Sequence, residues 1–148
     1  MAGVTRGTGL SARWAQLGNR FAARQAVRFT RPATGFVSQP EPRTIGLFAR
    51  GKQLISGNFM FSGQLIEAPG LGLWDIAPPD AAYANETQGF AWLDDLAAVG
   101  DGAARARAQD WTWGWLDRFG TGRGPGWTPD LTGRRLIRWI NHALLLLN

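Results

Sequence analysis

The chain has 148 residues, of which 45% are hydrophobic and 18% are charged, and this composition is typical of a globular protein with a core of its own. It contains no cysteine, one histidine and one tyrosine, which excludes disulfides, thiolate metal sites and a cysteine nucleophile. A zinc site would need carboxylates for nearly all of its ligands. We therefore expect neither a metal nor a cofactor.

The net charge of +5 is concentrated at the N-terminus. Residues 1–40 contain six arginines and no acidic side chain, whereas the rest of the chain contains ten basic and eleven acidic ones. A nearly neutral body without a recognition motif argues against specific nucleic-acid binding. No segment approaches the ~18 apolar residues of a membrane span, and no apolar signal core is present. These observations favour the cytoplasm, with the periplasm as the alternative.

Residues 1–35 are predicted to form an Arg-rich helical arm. Leu10, Trp14, Leu17 and Phe21 recur at helical spacing and predict a helix over 11–29, with arginines beside the apolar stripe. One interpretation is a solvated helix that leans on the domain. The other is a helix that binds a partner or an anionic surface through its arginines. Three prolines then predict an extended linker over 30–43.

Residues 36–148 are predicted to form a mainly all-α domain with a loop-rich middle. A short helix is expected over 44–56, and residues 58–67 fit either a strand pair or an irregular loop. A loop over 69–80 surrounds Trp74. Helices are expected over 85–99 and 102–119, and the short connection through Gly100 and the N-cap Asp101 predicts an antiparallel helical hairpin.

The last predicted helix covers residues 128–147. Thr128 can cap it, Pro129 suits its first position, and Asp130 suits the positive end of its dipole. The helix is apolar nearly all round, which is typical of a helix buried on several sides. We expect the chain to continue, and either that continuation or a partner protein to cover this helix.

A polar row runs along the last helix, formed by Arg134, Arg138, Asn141 and His142, with Arg135 to its side. The row fits an anion-binding face directed into a cleft. It fits equally well a set of ion pairs to the acidic residues of the preceding hairpin, which are Asp94, Asp95, Asp110 and Asp117.

The chain contains eight tryptophans, an unusually high number for its length. Three of them, Trp111, Trp113 and Trp115, are spaced by two on one predicted helix, so at least one must face away from the core. We expect Trp74 and Trp127, which lie in glycine-rich loops, to line an open surface.

The run WTPDLTGRRLIRWINHALLLL over 127–147 resembles a motif of bacterial heparinase II/III-like proteins. The segments FVSQPEPRTIGLFARGKQLISGNFMF, LWDIAPPDAAY and GFAWLDDLAAVGD are similar to earlier parts of such proteins, in the same order. The resemblance implies part of an α/α toroid built from helical hairpins. It also implies an acidic polysaccharide as partner and, for a complete protein, carbon–oxygen lyase activity on uronic-acid polymers.

By this resemblance Trp127, Arg134, Arg138 and Trp139 lie near a substrate cleft. Their pattern in the chain adds Asn141, His142 and Trp74 as candidate substrate-binding residues. In the family the catalytic Asn–His pair and Tyr come later in the chain, so no catalytic residue is predicted here, and we expect the chain alone to be inactive. The alternative function is a small accessory protein that docks on a partner complex or an anionic membrane through its arm and its apolar last helix.

Overall fold

The computed structural model describes residues 44–147 and isolated positions between 14 and 37. The chain divides into two units, Met1–Gln39 and Pro40–Asn148. In the first unit the described positions between 14 and 29 are helical, as predicted. The other positions of the predicted helix over 11–29, and most of the predicted linker over 30–43, lie outside the described residues.

The second unit is mainly helical, which confirms the predicted fold class. Its elements in chain order are α1 (Phe48–Ile55), β1 (Asn58–Phe61), β2 (Gln64–Glu67), a 3₁₀ turn (Leu73–Asp75), α2 (Ala81–Gln88), α3 (Ala91–Val99), α4 (Gly102–Phe119), α5 (Pro129–Asn141) and α6 (Ala143–Leu147). Membership of a larger toroid stays a prediction.

Strands β1 and β2 form an antiparallel hairpin, so the strand pair is confirmed over the irregular loop. The two turn residues, Ser62 and Gly63, have φ of 50° and 77°, and such positive values match the right-handed twist of paired strands. Alternation along β1 places Phe59 and Phe61 in the core. The hairpin therefore closes one side of the hydrophobic core.

Helix α1 packs closely against α3, and it is shorter than the helix predicted over 44–56. It begins only at Phe48 because Leu47 is extended and its N–H donates to Asp95 Oδ1 at 2.8 Å. A Cβ on Gly46 or Gly51 would lie within 2.3 Å of a backbone atom of α3. Glycine at these two positions is what permits the close approach.

The single helix predicted over 85–99 is wrong, because two helices occupy this region. Helix α2 begins earlier, where Asp80 accepts the N–H of Tyr83 at 2.8 Å. Phe90 then interrupts the helical path with a left-handed φ of 63°. This conformation costs about 1 kcal/mol for a non-glycine residue, and burying the ring offsets it. The break turns the Phe90 side chain into the centre of the core.

Helix α4 has the predicted bounds, and α3 and α4 pack as a helical hairpin. Gly100 ends α3 with φ of 66°, and Asp101 caps α4 by accepting the N–H of Ala104 at 2.8 Å. Trp111 and Trp115 are buried, while Trp113 is 52% exposed. The expectation that one of these three tryptophans faces away from the core is thus confirmed.

The single helix predicted over 128–147 is also wrong, because it is broken at His142. The predicted start is confirmed: Thr128 accepts the N–H of Leu131 at 3.3 Å, and Pro129 is the first helical residue. At His142 the backbone leaves the helical region, with φ of −111° and ψ of 23°, and α6 follows. The break coincides with contact between the His142 ring and α3.

One face of α5 and α6 is apolar and exposed. We call it the α5–α6 face, and its large residues are Leu136, Ile137, Ile140, Leu144 and Leu147. Only Leu131, Arg135, Ala143 and Leu146, together with His142, are buried on these two helices. The described part of the chain therefore leaves uncovered much of the segment that was expected to be buried.

Candidate functional site

Asp94 and Asp95 are adjacent acids on α3 that bind different parts of the unit. Asp94 accepts Arg138 Nε at 2.8 Å through one oxygen and lies 2.8 Å from His142 Nε2 through the other. Arg138 also donates to the carbonyl of Gly89 at 2.7 Å. We call Asp94, Arg138 and His142 the Asp94 junction. Through it, the end of α5 is fixed to the start of α3.

Burial alone would raise the pKa of Asp94. Hydrogen bonds from His142 and Arg138, together with the Arg138 charge, outweigh burial and hold this pKa below its ordinary value. At Asp95 the balance is reversed. Burial raises its pKa more than the Leu47 N–H and the Arg50 charge at 3.4 Å lower it. Relative to an exposed carboxyl, the fold thus favours the ionised form of Asp94 and the protonated form of Asp95.

The polar row of α5 is mostly engaged within the fold. Of the two interpretations of the row, the ion pair to the preceding hairpin is confirmed for Arg138, with Asp94 as its partner. Arg134 is exposed and pairs with Asp130 one turn earlier, at 3.1 Å. Asn141 is partly buried at the last position of α5. Substrate binding by these side chains stays a prediction.

Arg135 occupies an aromatic cage. It is only 2% exposed, and its guanidinium carbon lies 4.0 Å from the ring centroid of Trp115, 5.1 Å from that of Trp127 and 5.6 Å from that of Trp139. We call these four residues the Arg135 cage. Cation–π attraction of this kind is strongest when the cation is desolvated.

The polar contacts of Arg135 are to uncharged groups. It donates to the carbonyls of Gly126 at 2.9 Å and Gln88 at 3.3 Å, and to the Thr132 hydroxyl at 3.5 Å. Within residues 44–147 no carboxylate forms an ion pair with it. Burial lowers the pKa of Arg135 to about 10, so it still carries its charge at neutral pH. The fold therefore holds a buried cation without a counter-charge.

Trp127 is the exposed member of the cage. It is 40% exposed, and its indole N–H donates to the carbonyl of Phe119 at 2.7 Å. Its ring also packs on Trp115, with centroids 5.6 Å apart. A Cβ on the preceding Gly126 would lie 2.3 Å from Gln88 Oε1, so a larger residue there would displace the Gln88 side chain. Trp127 is therefore a fixed aromatic surface that meets solvent.

The other two candidate tryptophans lie deeper. Trp74, which was expected at an open surface, is partly buried against the core and donates its indole N–H to the carbonyl of Trp111 at 2.6 Å. Trp139 is partly buried between Phe90 and Trp115. Of the sequence-predicted tryptophans, only Trp127 thus combines a fixed position with substantial exposure.

The tyrosine and the histidine of the chain are both buried. Tyr83 is buried in the core, and burial raises its pKa to about 12. His142 is also buried, with its Nε2 held on Asp94. Within the described part of the chain, no three His, Cys, Asp or Glu side chains are grouped as metal ligands. None of its helices is long and apolar enough to cross a bilayer.

Arg135 is the residue that sequence reasoning placed to the side of the polar row. One signal could have identified it: it follows the buried Leu131 by four residues and precedes Trp139 by four, so it lies on the inward stripe of α5. A charged residue on a core-facing stripe indicates a specific partner. The sequence does not reveal that this partner is a set of indole rings.

Comparison of the chain with protein-family models, with curated proteins and with solved structures gave no match in any of the three.

Proposed function

We propose that this chain is a saccharide-binding helical domain of the heparinase II/III-like kind, with Trp127 as the surface on which a sugar ring stacks. The observation that carries the proposal is an indole that is 40% exposed, hydrogen-bonded to the Phe119 carbonyl, and next to a buried cation. The flat apolar face of an indole suits the apolar face of a pyranose, and its fixed position limits the entropy lost on binding. The neighbouring positive charge suits a uronate.

The sequence resemblance supports the same function, because Trp127 opens the motif that carries it. It also suggests that catalytic groups are supplied elsewhere. In the described residues Tyr83 and His142 are both buried, which fits a domain that binds a polymer without cleaving it. We expect no unsaturated uronate product when the chain is incubated with heparin, alginate or polygalacturonate, as followed by ultraviolet absorbance.

The binding test is calorimetric titration with tetrasaccharides of heparin, alginate and galacturonate. We expect the wild-type chain to bind at least one of them, and Trp127→Ala to weaken that binding at least about fivefold, since stacking on one aromatic ring contributes about 1–3 kcal/mol in comparable ring stacking. Trp113→Ala, which removes an exposed tryptophan of α4, is the matched control and should bind normally. Equal losses in both variants, or no binding by the wild type, would refute the proposal.

A second candidate function is protein association through the α5–α6 face. Ile137 and Ile140 of α5, and Leu144 and Leu147 of α6, are exposed, each pair is three residues apart on one side of its helix, and space is open beside Gly133. The face carries no charge, so a second copy of the chain offers a complementary surface. Sedimentation velocity tests this: we expect dimers of the wild type and monomers of Leu144→Glu. A monomeric wild type at high concentration would exclude self-association.

A further inference from the structure

Arg135 and Trp127 form a layered arrangement at the protein surface. The guanidinium is buried, the indole next to it is exposed, and 5.1 Å separates the guanidinium carbon from the ring centroid. One side of the Trp127 ring is thus next to the buried cation, while part of the same residue meets solvent. A ligand stacked on the outer side of the indole would be close to a charge that it cannot touch.

This charge is the one basic group of α5 that no acid neutralises among the described residues. Arg138 is paired with Asp94, and Arg134 with Asp130. An ion pair seen from outside is nearly neutral, whereas an isolated charge in a water-poor site projects its field further than an exposed one. Among the three arginines of α5, Arg135 thus contributes most to the potential at Trp127.

We propose that Arg135 is a positioning and specificity-determining residue, which fixes the Trp127 platform and selects a negatively charged sugar over a neutral one. This inference rests on the proposed function. Its positioning part follows from the hydrogen bond to the Gly126 carbonyl, one residue before Trp127, and from the stacking against the ring itself. Arg135 acts through Trp127 and does not contact the sugar.

The size of the charge effect follows from distance. A carboxylate in van der Waals contact with the outer face of the indole would lie roughly 9 Å from the guanidinium carbon. At an effective dielectric constant of about 20 this attraction amounts to a five- to tenfold gain in affinity after partial screening by salt. The effect is large enough to measure and too small to bind an anion without stacking.

The test compares a galacturonate tetrasaccharide with its methyl ester, in which a methyl group replaces each negative charge. We expect the wild type to prefer the acid five- to tenfold, and Arg135→Met to lose this preference. Arg135→Lys keeps a charge in the cage but cannot reproduce the forked contacts to Gly126 and Gln88. It should bind both probes more weakly while retaining the preference, and it keeps the test decisive if Arg135→Met does not fold.

The control is Arg107→Met, which removes another arginine from above an indole, that of Trp111. This variant should retain the wild-type ratio of the affinities for the two probes. An unchanged affinity and an unchanged preference for the acid in Arg135→Met would overturn the inference. Loss of the preference in Arg123→Met, which removes an exposed arginine from the turn before Trp127, would overturn it as well. Trp127→Ala separates the two proposals: if it abolishes binding of both probes while Arg135→Met changes nothing, the platform stands and the role of Arg135 does not. If the wild type binds neither probe, both proposals fail for this sugar.

Discussion

The Asp94 junction and the Arg135 cage bury charge on neighbouring parts of α5 in opposite ways. In the junction a carboxylate is matched by an arginine and a histidine, each 2.8 Å away. In the cage, as far as residues 44–147 are concerned, a guanidinium is matched only by indole rings, carbonyls and a hydroxyl. The junction is neutral or nearly so from outside, while the cage keeps a net positive charge. A paired charge fixes structure, whereas an unpaired one can also act on a ligand.

The contrast between the Asp94 junction and the Arg135 cage predicts that breaking the junction has the largest effect on stability. Asp94→Ala leaves Arg138 without its ion-pair partner and the His142 ring without its carboxylate in a mostly buried site, so we expect a loss of about 3 kcal/mol in the free energy of unfolding. Urea denaturation measures it. The control is Asp110→Ala, which removes an exposed acid of α4 and should change stability by less than about 0.5 kcal/mol. Similar values for both variants would show that the junction is not structural.

Removing the cage cation should cost less. Arg135→Met fills a similar volume, leaves no charge unpaired, and removes the donor to the Gly126 and Gln88 carbonyls and the weaker one to the Thr132 hydroxyl. We expect a loss of about 1–2 kcal/mol in the free energy of unfolding, measured as for Asp94→Ala. A loss as large as that of Asp94→Ala would mean that the cage stabilises the fold as strongly as the ion pairs do, and the contrast between the two regions would disappear.

The pH dependence of stability sharpens the contrast between Asp94 and its neighbour. The folded pKa of Asp94 is lowered, so its contribution is complete above the ordinary value of 3.8 and is lost as pH falls through the folded pKa. The folded pKa of Asp95 is raised, so its contribution is present below 3.8 and is lost as pH rises through the raised value. The two residues therefore oppose each other in acid.

We expect Asp94→Asn to lose less stability between pH 5 and pH 2.5, the range tested, than the wild type does. Asp95→Asn should lose more over the same range. Thermal unfolding followed by circular dichroism at a series of pH values gives, for each variant, the slope of stability against pH. Identical slopes in the two variants would contradict the assignment of opposite shifts to the two carboxyls.

The smallest effect on folding is expected at the α5–α6 face. Ile137 is 59% exposed, so Ile137→Glu should change the free energy of unfolding by less than about 0.5 kcal/mol. A loss of more than about 1 kcal/mol would mean that this face is covered within the chain itself. Differential scanning calorimetry, together with sedimentation to record association, distinguishes the two cases.

Local signals predicted the elements that are set locally. Helix α4 lies between the capping Asp101 and Gly120, and both of its bounds follow from the sequence. The hairpin of β1 and β2 was one of two open alternatives, and the Ser62–Gly63 turn decides it in the structure. The helix starts at Thr128 and Asp101 were likewise predicted, because a capping side chain bonds to backbone N–H groups only a few residues away in the sequence.

Tertiary contacts decided the elements that the sequence did not reveal. Phe90 adopts a left-handed conformation that a bulky residue rarely takes, because its ring fills the space between Trp92, Trp115 and Trp139. The break at His142 accompanies a contact with Asp94, 48 residues earlier. The ion pair of Arg138 was one of two open interpretations of the polar row. The Arg135 cage was not predicted, because its three indole rings come from α4, from the turn before α5, and from α5 itself.

In the proposed function, Trp127 next to Arg135 is the surface that meets a sugar. The eight tryptophans each give an indole N–H resonance, so a ¹H–¹⁵N spectrum of the labelled chain reports on all of them at once. On titration with the uronate tetrasaccharide that binds best, we expect the Trp127 resonance, assigned by Trp127→Phe, to shift the most, while those of Trp92 and Trp111 stay in place. A largest shift at Trp113 or Trp14, or no shift at Trp127, would contradict the claim.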